Sequence, residues 1–443
     1  MNNWEKVKLG SILTESKIEA IDSDKDSRIR VLLNTRGIIK RPLKKETKDA
    51  TKYFKRSAGQ FIYGKQNLHK GAFGIIPREL DGFTSSSDLP AFDIDKSCLP
   101  EWLDYFLKQG CFYLSLIDIA KGAATKRIQP KALFEIELPL PNSIKEQQRL
   151  VKSFKNKESY IELLDGEIQT QKQLITQLKQ AILQDAVQGK LTQEWREQNP
   201  ITEPANELLE RIKAQKEQLI KDKKIKKEKT LPPITEEQIP FKIPENWSWV
   251  RLLGLCSKTG SGSTPKGGKS AYIESGIKFI RSQNVYNDGL RTKDIAYISN
   301  KLHEKMKGTK VESEDLLLNI TGGSIGRCCI VPSNFDTGNI NQHVAIIRSI
   351  DKNLSYFLHK IICSSYFQKT IIEVQTGAGR EGLPKNKMDE ILIPLPPETE
   401  RKIVVDKVDN LMQICDSLEL EISQNEQHAN KLIQAVLKEA FQN

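Results

Sequence analysis

The segment nearest to a chemical motif is Gly262-Ser-Thr-Pro-Lys-Gly-Gly-Lys-Ser270, whose glycines, lysine and serine are those of a nucleotide phosphate loop. Its spacing fails. Ser263 stands five positions before Gly268, where the motif's first glycine belongs, and Pro265 and Gly276 spoil the strand–loop–helix context. A mobile loop touching phosphates fits better than nucleotide hydrolysis. His69, His303, His343, His359 and His428 are dispersed, with no H-E-x-x-H and no Cys-x-x-Cys spacing, and the adjacent Cys328 and Cys329 are poor geometry for zinc. No Asn-Pro-Pro-aromatic segment of the kind that acts on a flipped base is present. Neither a catalytic residue nor a metal site is expected, so any chemistry belongs to other chains.

Binding is better supported. The net charge of +11 is concentrated. Between Arg36 and Lys70 eleven basic residues oppose only Glu46 and Asp49, and Tyr53, Phe54, Phe61 and Tyr63 are interleaved. A stretch so one-sided favours a polyanion, and the aromatics suit nucleic acid better than a membrane surface. A second run, Lys221 to Lys229, has no aromatics and precedes Pro232-Pro233; it reads as a solvated helix end or linker with incidental phosphate contact. The 443 residues leave room for two or three domains. No apolar run reaches membrane-spanning length, no leader is evident, and the seven cysteines suit reduced thiols, so a soluble cytoplasmic protein without membrane contact is expected.

What must position such residues is written twice. Leu178-Lys-Gln-Ala-Ile-Leu-Gln-Asp-Ala-Val187 returns 254 positions later as Leu432-Ile-Gln-Ala-Val-Leu-Lys-Glu-Ala-Phe441. Ile136-Glu-Leu-Pro-Leu-Pro141 returns after 255 as Ile391-Leu-Ile-Pro-Leu-Pro396, and Trp4 to Leu9 returns after 243 as Trp247 to Leu252. A period this long means a duplicated domain-plus-helix. The first helix carries a heptad seam of Ile161, Leu164, Ile168, Gln171, Ile175, Leu178 and Ile182; adding 254 gives Cys415, Leu418, Ile422, Asn425, Ala429, Leu432 and Val436. Polar interruptions recur at Gln171 with Asn425 and Asp185 with Glu439, which argues that the two helices pair with each other. Pseudo-two-fold symmetry makes them antiparallel, with a globular domain at each end of a rod ~60 Å long.

Both globular halves read as mixed strands and short helices. Gln60–Tyr63 with Phe73–Pro77 corresponds to Asp315–Asn319 with Arg327–Pro332, each a strand, a glycine turn and a strand. The expected fold is therefore α+β: two globular domains joined by two long antiparallel coiled-coil helices in a pseudo-two-fold arrangement. The expected boundaries are 1–144 and 244–397 for the globular domains, 145–200 and 398–443 for the helices, and 201–243 for a short helix and linker.

Taken together, the chain resembles the specificity subunit of type I restriction-modification enzymes. The likeness rests on the Leu-Pro-Leu-Pro turn followed by Glu146-Gln-Gln-Arg-Leu-Val151, its partner Glu400-Arg-Lys-Ile-Val404, the helix Leu178–Leu191 and the connector Leu231–Pro240. It implies two target recognition domains reading a bipartite, asymmetric site in double-stranded DNA. It also implies two methyltransferase subunits gripping the helices and outer domain faces, and a restriction (translocase–nuclease) subunit that joins through them. S-adenosylmethionine, ATP and Mg would lie on those partners, with no cofactor in this chain. One departure is that the repeat shift falls from 255 at the proline turn to 254 at Glu400, so the second junction is one residue shorter.

Contact candidates are chosen by chemistry. In the first half Lys65, Gln66, Asn67 and Lys70 occupy a turn between paired strands, Lys126 and Arg127 a late loop, and Arg41, Lys44, Lys45, Lys55 and Arg56 suit phosphate clamps. In the second half the candidates are Arg281, Gln283, Asn284, Thr321, Asn341, Gln342, His343 and Arg380; their Arg, Asn and Gln members suit guanine and adenine edges. Asn341-Gln342 could instead brace a turn. The alternative to a DNA-reading subunit is a non-catalytic scaffold that binds acidic partners, or DNA without sequence preference.

Overall fold

The computed structural model describes residues 4–20, 27–42, 52–108, 112–122, 125–200, 203–228, 230–375 and 382–442. The chain divides into two compact units, Met1–Gln171 with Glu421–Asn443, and Lys172–Leu420. Each long helix starts in one unit and ends in the other.

In the first unit, strand Phe61–Tyr63 is wholly buried and lies between Phe73–Ile75 and Ala91–Ile94; Leu13–Ser16 completes a four-stranded antiparallel sheet. Phe61, Phe73 and Phe92 meet at its centre, with ring centroids 6.4 Å apart from Phe61 to each neighbour. Helix Pro100–Lys108 covers one face through Trp102, Leu103 and Phe106, whose spacing is that of a single helical stripe. Burying each such aromatic contributes about 2–3 kcal/mol, enough to fix which sheet face is inside.

The second unit repeats this sheet strand for strand. Cys256–Ser261, Val344–Ser349, Leu316–Asn319 and Cys328–Ile330 are paired in the same order. The two shortest sequence echoes turn out to be partners. Glu5 faces Leu140 in the antiparallel pair Glu5–Lys8 with Glu137–Leu140, and Ser248 faces Leu395 in Ser248–Arg251 with Leu392–Leu395. Since 248 − 5 = 243 and 395 − 140 = 255, the two shifts found in the sequence preserve one register. The halves differ around this frame. The first adds two small hairpin-like sheets, Ile29–Val31 with Ile38–Lys40 and Tyr53–Lys55 with Thr84–Ser86. The second adds a mixed sheet in which Ile277–Ile280 and Gly338–Ile340 run parallel.

The long helices are Ile144–Val187 and Glu398–Gln442. The first stops at Val187 rather than at 200. Gly189 has φ +71°, and a Cβ there would stand 2.7 Å from Pro244 Cγ, so the chain leaves the helix where only glycine fits. A separate short helix, Gln193–Gln198, follows. Each long helix is bolted to its own domain at its start. Gln147, fully buried, accepts from Leu99 N (2.8 Å) and donates to Ser97 O (2.8 Å), while Phe154 stacks on Trp102 at 6.0 Å. The residue 254 positions on is Arg401, also buried, which donates to Asp351 Oδ2 at 3.0 Å. Beside it Glu400, fully buried, accepts from Thr192 Oγ1 (2.7 Å), Arg196 Nη1 (2.5 Å) and Asn246 Nδ2 (3.2 Å). Glu146 is only half-buried and accepts from Trp4 Nε1 at 3.4 Å. The two junctions are thus built at matching positions from different chemistry.

Within the second unit the helices are antiparallel, as expected. Lys179 pairs with Asp416 (2.7 Å) and Glu419 (2.9 Å), while Lys407 Nζ donates to Leu191 O (3.0 Å), so numbers rise along one helix as they fall along the other. The buried row is narrower than the heptad pattern suggested. Ile168, Ile175 and Ile182, and Cys415, Ile422 and Ala429, are buried at seven-residue steps. The intervening Leu164, Leu178, Leu418 and Leu432 are 42%, 46%, 40% and 64% exposed. Gln171 bonds to Glu167 of its own helix, Asp185 pairs with Lys190 at 3.6 Å, and Asn425 is exposed. Among the described residues, the polar interruptions Gln171 and Asp185 therefore bond locally and Asn425 faces solvent. The side chains of Ile161, Val436 and Glu439 lie outside the described residues.

Candidate nucleic-acid interface

In the first unit the turn Gly64–Gly71 and the late loop come together through the backbone. Ile128 N donates to Lys65 O at 2.8 Å, Lys65 N to Asp88 O at 3.0 Å, and Lys121 and Arg127 exchange bonds of 2.9 and 2.8 Å. Arg127 also pairs with Asp88 at 3.3 Å. Lys65, Gln66, Asn67, Lys70, Lys126 and Arg127 are thereby gathered on one surface, with Lys70 and Lys126 exposed. His69 sits among them. Burial, then the nearby Lys70 and Lys126, hold its pKa below the usual range, and its Nδ1 is buried without a hydrogen-bond partner.

A third loop joins this cluster that the sequence reading did not select. Asn34 and Thr35 are both left-handed (φ 57° and 55°), a conformation costly for non-glycine residues. Two bonds hold them there, Asn34 N to Lys70 O and Thr35 N to Gly71 O, each 2.9 Å. Gly71 is required at this point, because a Cβ would lie 2.8 Å from Thr35 N. Asn34 and Arg36 are exposed on the pinned loop. The nearest sequence signal was Arg36 at the edge of the basic stretch; nothing in the residue types announces a tandem of left-handed residues.

The clamp candidates divide. Arg41 and Lys55 are exposed, and Lys44 and Lys45 lie outside the described residues. Arg56 is corrected: it is 2% exposed, with Nε donating to Ser85 Oγ (2.7 Å), Nη1 to Ser16 O (2.7 Å) and Nη2 to Leu89 O (3.3 Å). Burial pulls its pKa down to about 10. It is a strut under the sheet, and a phosphate cannot reach it.

In the second unit the polar centre is a chain of hydrogen bonds running Thr264–Gln342–His343–Thr321. Thr264 Oγ1 donates to Gln342 Oε1, so Gln342 Nε2 donates to His343 Nε2 at 2.9 Å. His343 then carries its proton on Nδ1 and donates to Thr321 Oγ1 at 2.6 Å, which frees the threonine hydroxyl hydrogen to point outward. Thr264 lies on the glycine-rich segment flagged for its resemblance to a phosphate loop. Gly262 is needed there, since a Cβ would be 2.1 Å from Ile340 O. Only the short 3-10 turn Gly268–Ala271 follows, with no helix of the kind that phosphate loops open.

Other candidates in this half prove structural. Asn284 is 1% exposed, accepts from Arg281 N (3.0 Å) and donates to Arg291 O (2.9 Å), so it cannot read a base. Asn341, 8% exposed, accepts from His343 N at 3.1 Å and braces the turn below the chain of hydrogen bonds. Arg281 donates from Nη2 to Asp294 O at 2.8 Å and lies over Tyr272, whereas Gln283 is exposed. Arg380 lies outside the described residues. Among the described residues no helix is long and apolar enough to cross a membrane.

Residues 244–425 match the family model described as the type I restriction modification DNA specificity domain. The specificity subunits of the type I restriction enzymes EcoAI and EcoEI of Escherichia coli are 31% identical over 268 residues and 32% identical over 253. These matches cover 60% and 55% of the chain but span only 44% and 40% of those relatives, less than half their length. A chain from a solved type I R-M system, described in terms of complex assembly and conformational transition, has the same fold at TM-score 0.63 and 17% identity, over 99% of this chain and 97% of that one. The matched domain covers the second unit's sheet and junction, so that part of the chain is similar to a type I restriction modification DNA specificity domain, and the structural likeness extends the fold alone to the whole chain.

Proposed function

We propose that this protein is the non-catalytic DNA-reading subunit of a type I restriction-modification complex, each unit reading one half of a bipartite, asymmetric site in double-stranded DNA. The observation that carries this is one sheet and junction used twice, with unlike polar loops on each copy. In the first unit Lys65, Gln66, Asn67, Lys70, Lys126 and Arg127, with Asn34 and Arg36, form the reading and clamping surface. In the second unit Thr264, Gln342, His343 and Thr321 form it, and Gln283 is a further exposed candidate.

Two methyltransferase subunits bind the helices in this reading, and the restriction subunit joins through them. What supports two copies of one partner is a duplicated surface. Tyr160, Leu164 and Leu178 are 72%, 42% and 46% exposed, and the residues 254 positions on, Ile414, Leu418 and Leu432, are 57%, 40% and 64% exposed. Exposed apolar rows of this kind mark protein interaction sites. S-adenosylmethionine, ATP and Mg belong to the partners, and the complex works in the cytoplasm. Mapping modified sites in cells that carry this protein with its methyltransferase tests the reading. The expected outcome is one gapped, asymmetric site that disappears when the protein is deleted; modification that persists unchanged refutes it.

A further inference from the structure

The lysine run that begins at Lys221 is left over from the DNA-reading account; the helix Ala205–Lys221 ends in it, and Lys221, Lys223, Lys224, Lys226 and Lys227 are exposed. Its residues Lys224 and Lys226 form the rim of a cavity of about 620 Å³ within the second unit. Lys307, Lys258 and Arg348 line the same cavity, so five cations surround it with one carboxylate, Glu228. That carboxylate is paired with Lys385 at 3.3 Å. Arg348 is held by Asp315 and Glu312, and Lys224 is 3.5 Å from Asp222. Lys226 and Lys307 are exposed, and no acid among the described residues is bonded to either.

Two further observations show an inner end suited to an anion. Lys258 Nζ donates to a neutral group, the Lys310 carbonyl, at 3.2 Å; burial and then the nearby Arg348 lower its pKa, offset in part by Asp315 and Glu312. Thr259 is 6% exposed, lines the same cavity, and its Oγ1 is buried with no hydrogen-bond partner. A buried hydroxyl without a partner is unfavourable, and an incoming acceptor oxygen would satisfy it.

We infer that this cavity is a phosphate-binding site, with Lys226 and Lys307 gripping the charge at the rim and the Thr259 hydroxyl donating to a phosphate oxygen inside. Its position bears on the source of that phosphate. Lys258 lies opposite Arg348 in the pair of strands whose other end carries Gly262 and Val344, next to His343. Four residues of strand put the two places about 13 Å apart, within the width of one duplex. The phosphate belongs either to the backbone of the bound DNA or to a free polyphosphate, and the chemistry is the same.

The test uses the full-length protein, the double variant Lys226→Gln/Lys307→Gln and the buried, near-isosteric Thr259→Val. Inorganic triphosphate is titrated calorimetrically at low salt, and duplex affinity is measured against salt concentration. Triphosphate is expected to bind one site, weakened at least tenfold in the double variant and about threefold or more in Thr259→Val. If the phosphate is the duplex backbone, the slope of log affinity against log salt also becomes shallower by about 0.9 in the double variant, the share of the one phosphate no longer neutralised. An unchanged slope with abolished triphosphate binding assigns the site to a free polyphosphate. Triphosphate binding that is absent from the wild type, or equal in all three proteins, overturns the inference whatever the slope does.

Discussion

At Gln342 one amide does two jobs, accepting from Thr264 and donating to His343, and so fixes which imidazole nitrogen bears the proton. Gln342→Ala removes that control and leaves His343 free to exchange tautomers. The expected result is a loss of about 1–3 kcal/mol of discrimination at a position in one half-site, read by competition among permuted duplexes with the methyltransferase present. Equal losses at both half-sites would show that the units do not read separately. Arg56 supplies the opposite test. A phosphate clamp reveals itself in salt dependence, a strut in stability. Arg56→Met should cost about 2–4 kcal/mol in urea unfolding, because Ser16 O and Ser85 Oγ lose a buried donor and Leu89 O one of its two, while the salt slope of DNA binding stays as it was. At this scale the sequence was least legible. It shows that Arg56, Asn284 and Lys70 are polar, but only the fold decides that the first two are buried and the third meets solvent.

The elements were far easier to read. Strands Glu5–Lys8 and Glu137–Leu140 reveal themselves through an echo in the other half, because a duplicated register preserves apolar alternation even where residues change. The long helices were legible from their seven-residue repeat, but the width of the buried row was not. Leu164 and Ile168 look alike in sequence, and only one of them is buried. The boundary drawn at 200 ran past the helix end, although Gly189 breaks the sequence pattern just after Val187; its left-handed φ packs against Pro244. The junctions give a contrast that can be measured. Glu400→Gln leaves Arg196 facing a neutral partner in a buried site and is expected to destabilise by about 2–4 kcal/mol in urea unfolding. Glu146→Gln, half-buried and bonded only weakly to Trp4, is expected to cost less than about 1 kcal/mol. Equal effects would mean the junctions are equivalent after all.

For the whole molecule, duplication separates what must be the same from what must differ. Sheets, strand pairs and exposed helix rows recur, while the loops over the sheets do not. A repeated apolar row implies a partner bound twice, and its stoichiometry is open to test. Tyr160→Asp/Leu164→Asp should leave one methyltransferase bound where the unaltered protein binds two, measured by native mass spectrometry, and Ile414→Asp/Leu418→Asp should do the same from the other half. The central claim is that two unlike loop sets read two halves of one site, and the most direct measurement is the map of modified bases in cells. With the unaltered protein the map is expected to show a single bipartite site. With Thr264→Ala/Gln342→Ala in place, base preference should relax within one half while the other half and the gap between them remain fixed. A change spread over both halves, or a shift in the gap, would contradict the claim.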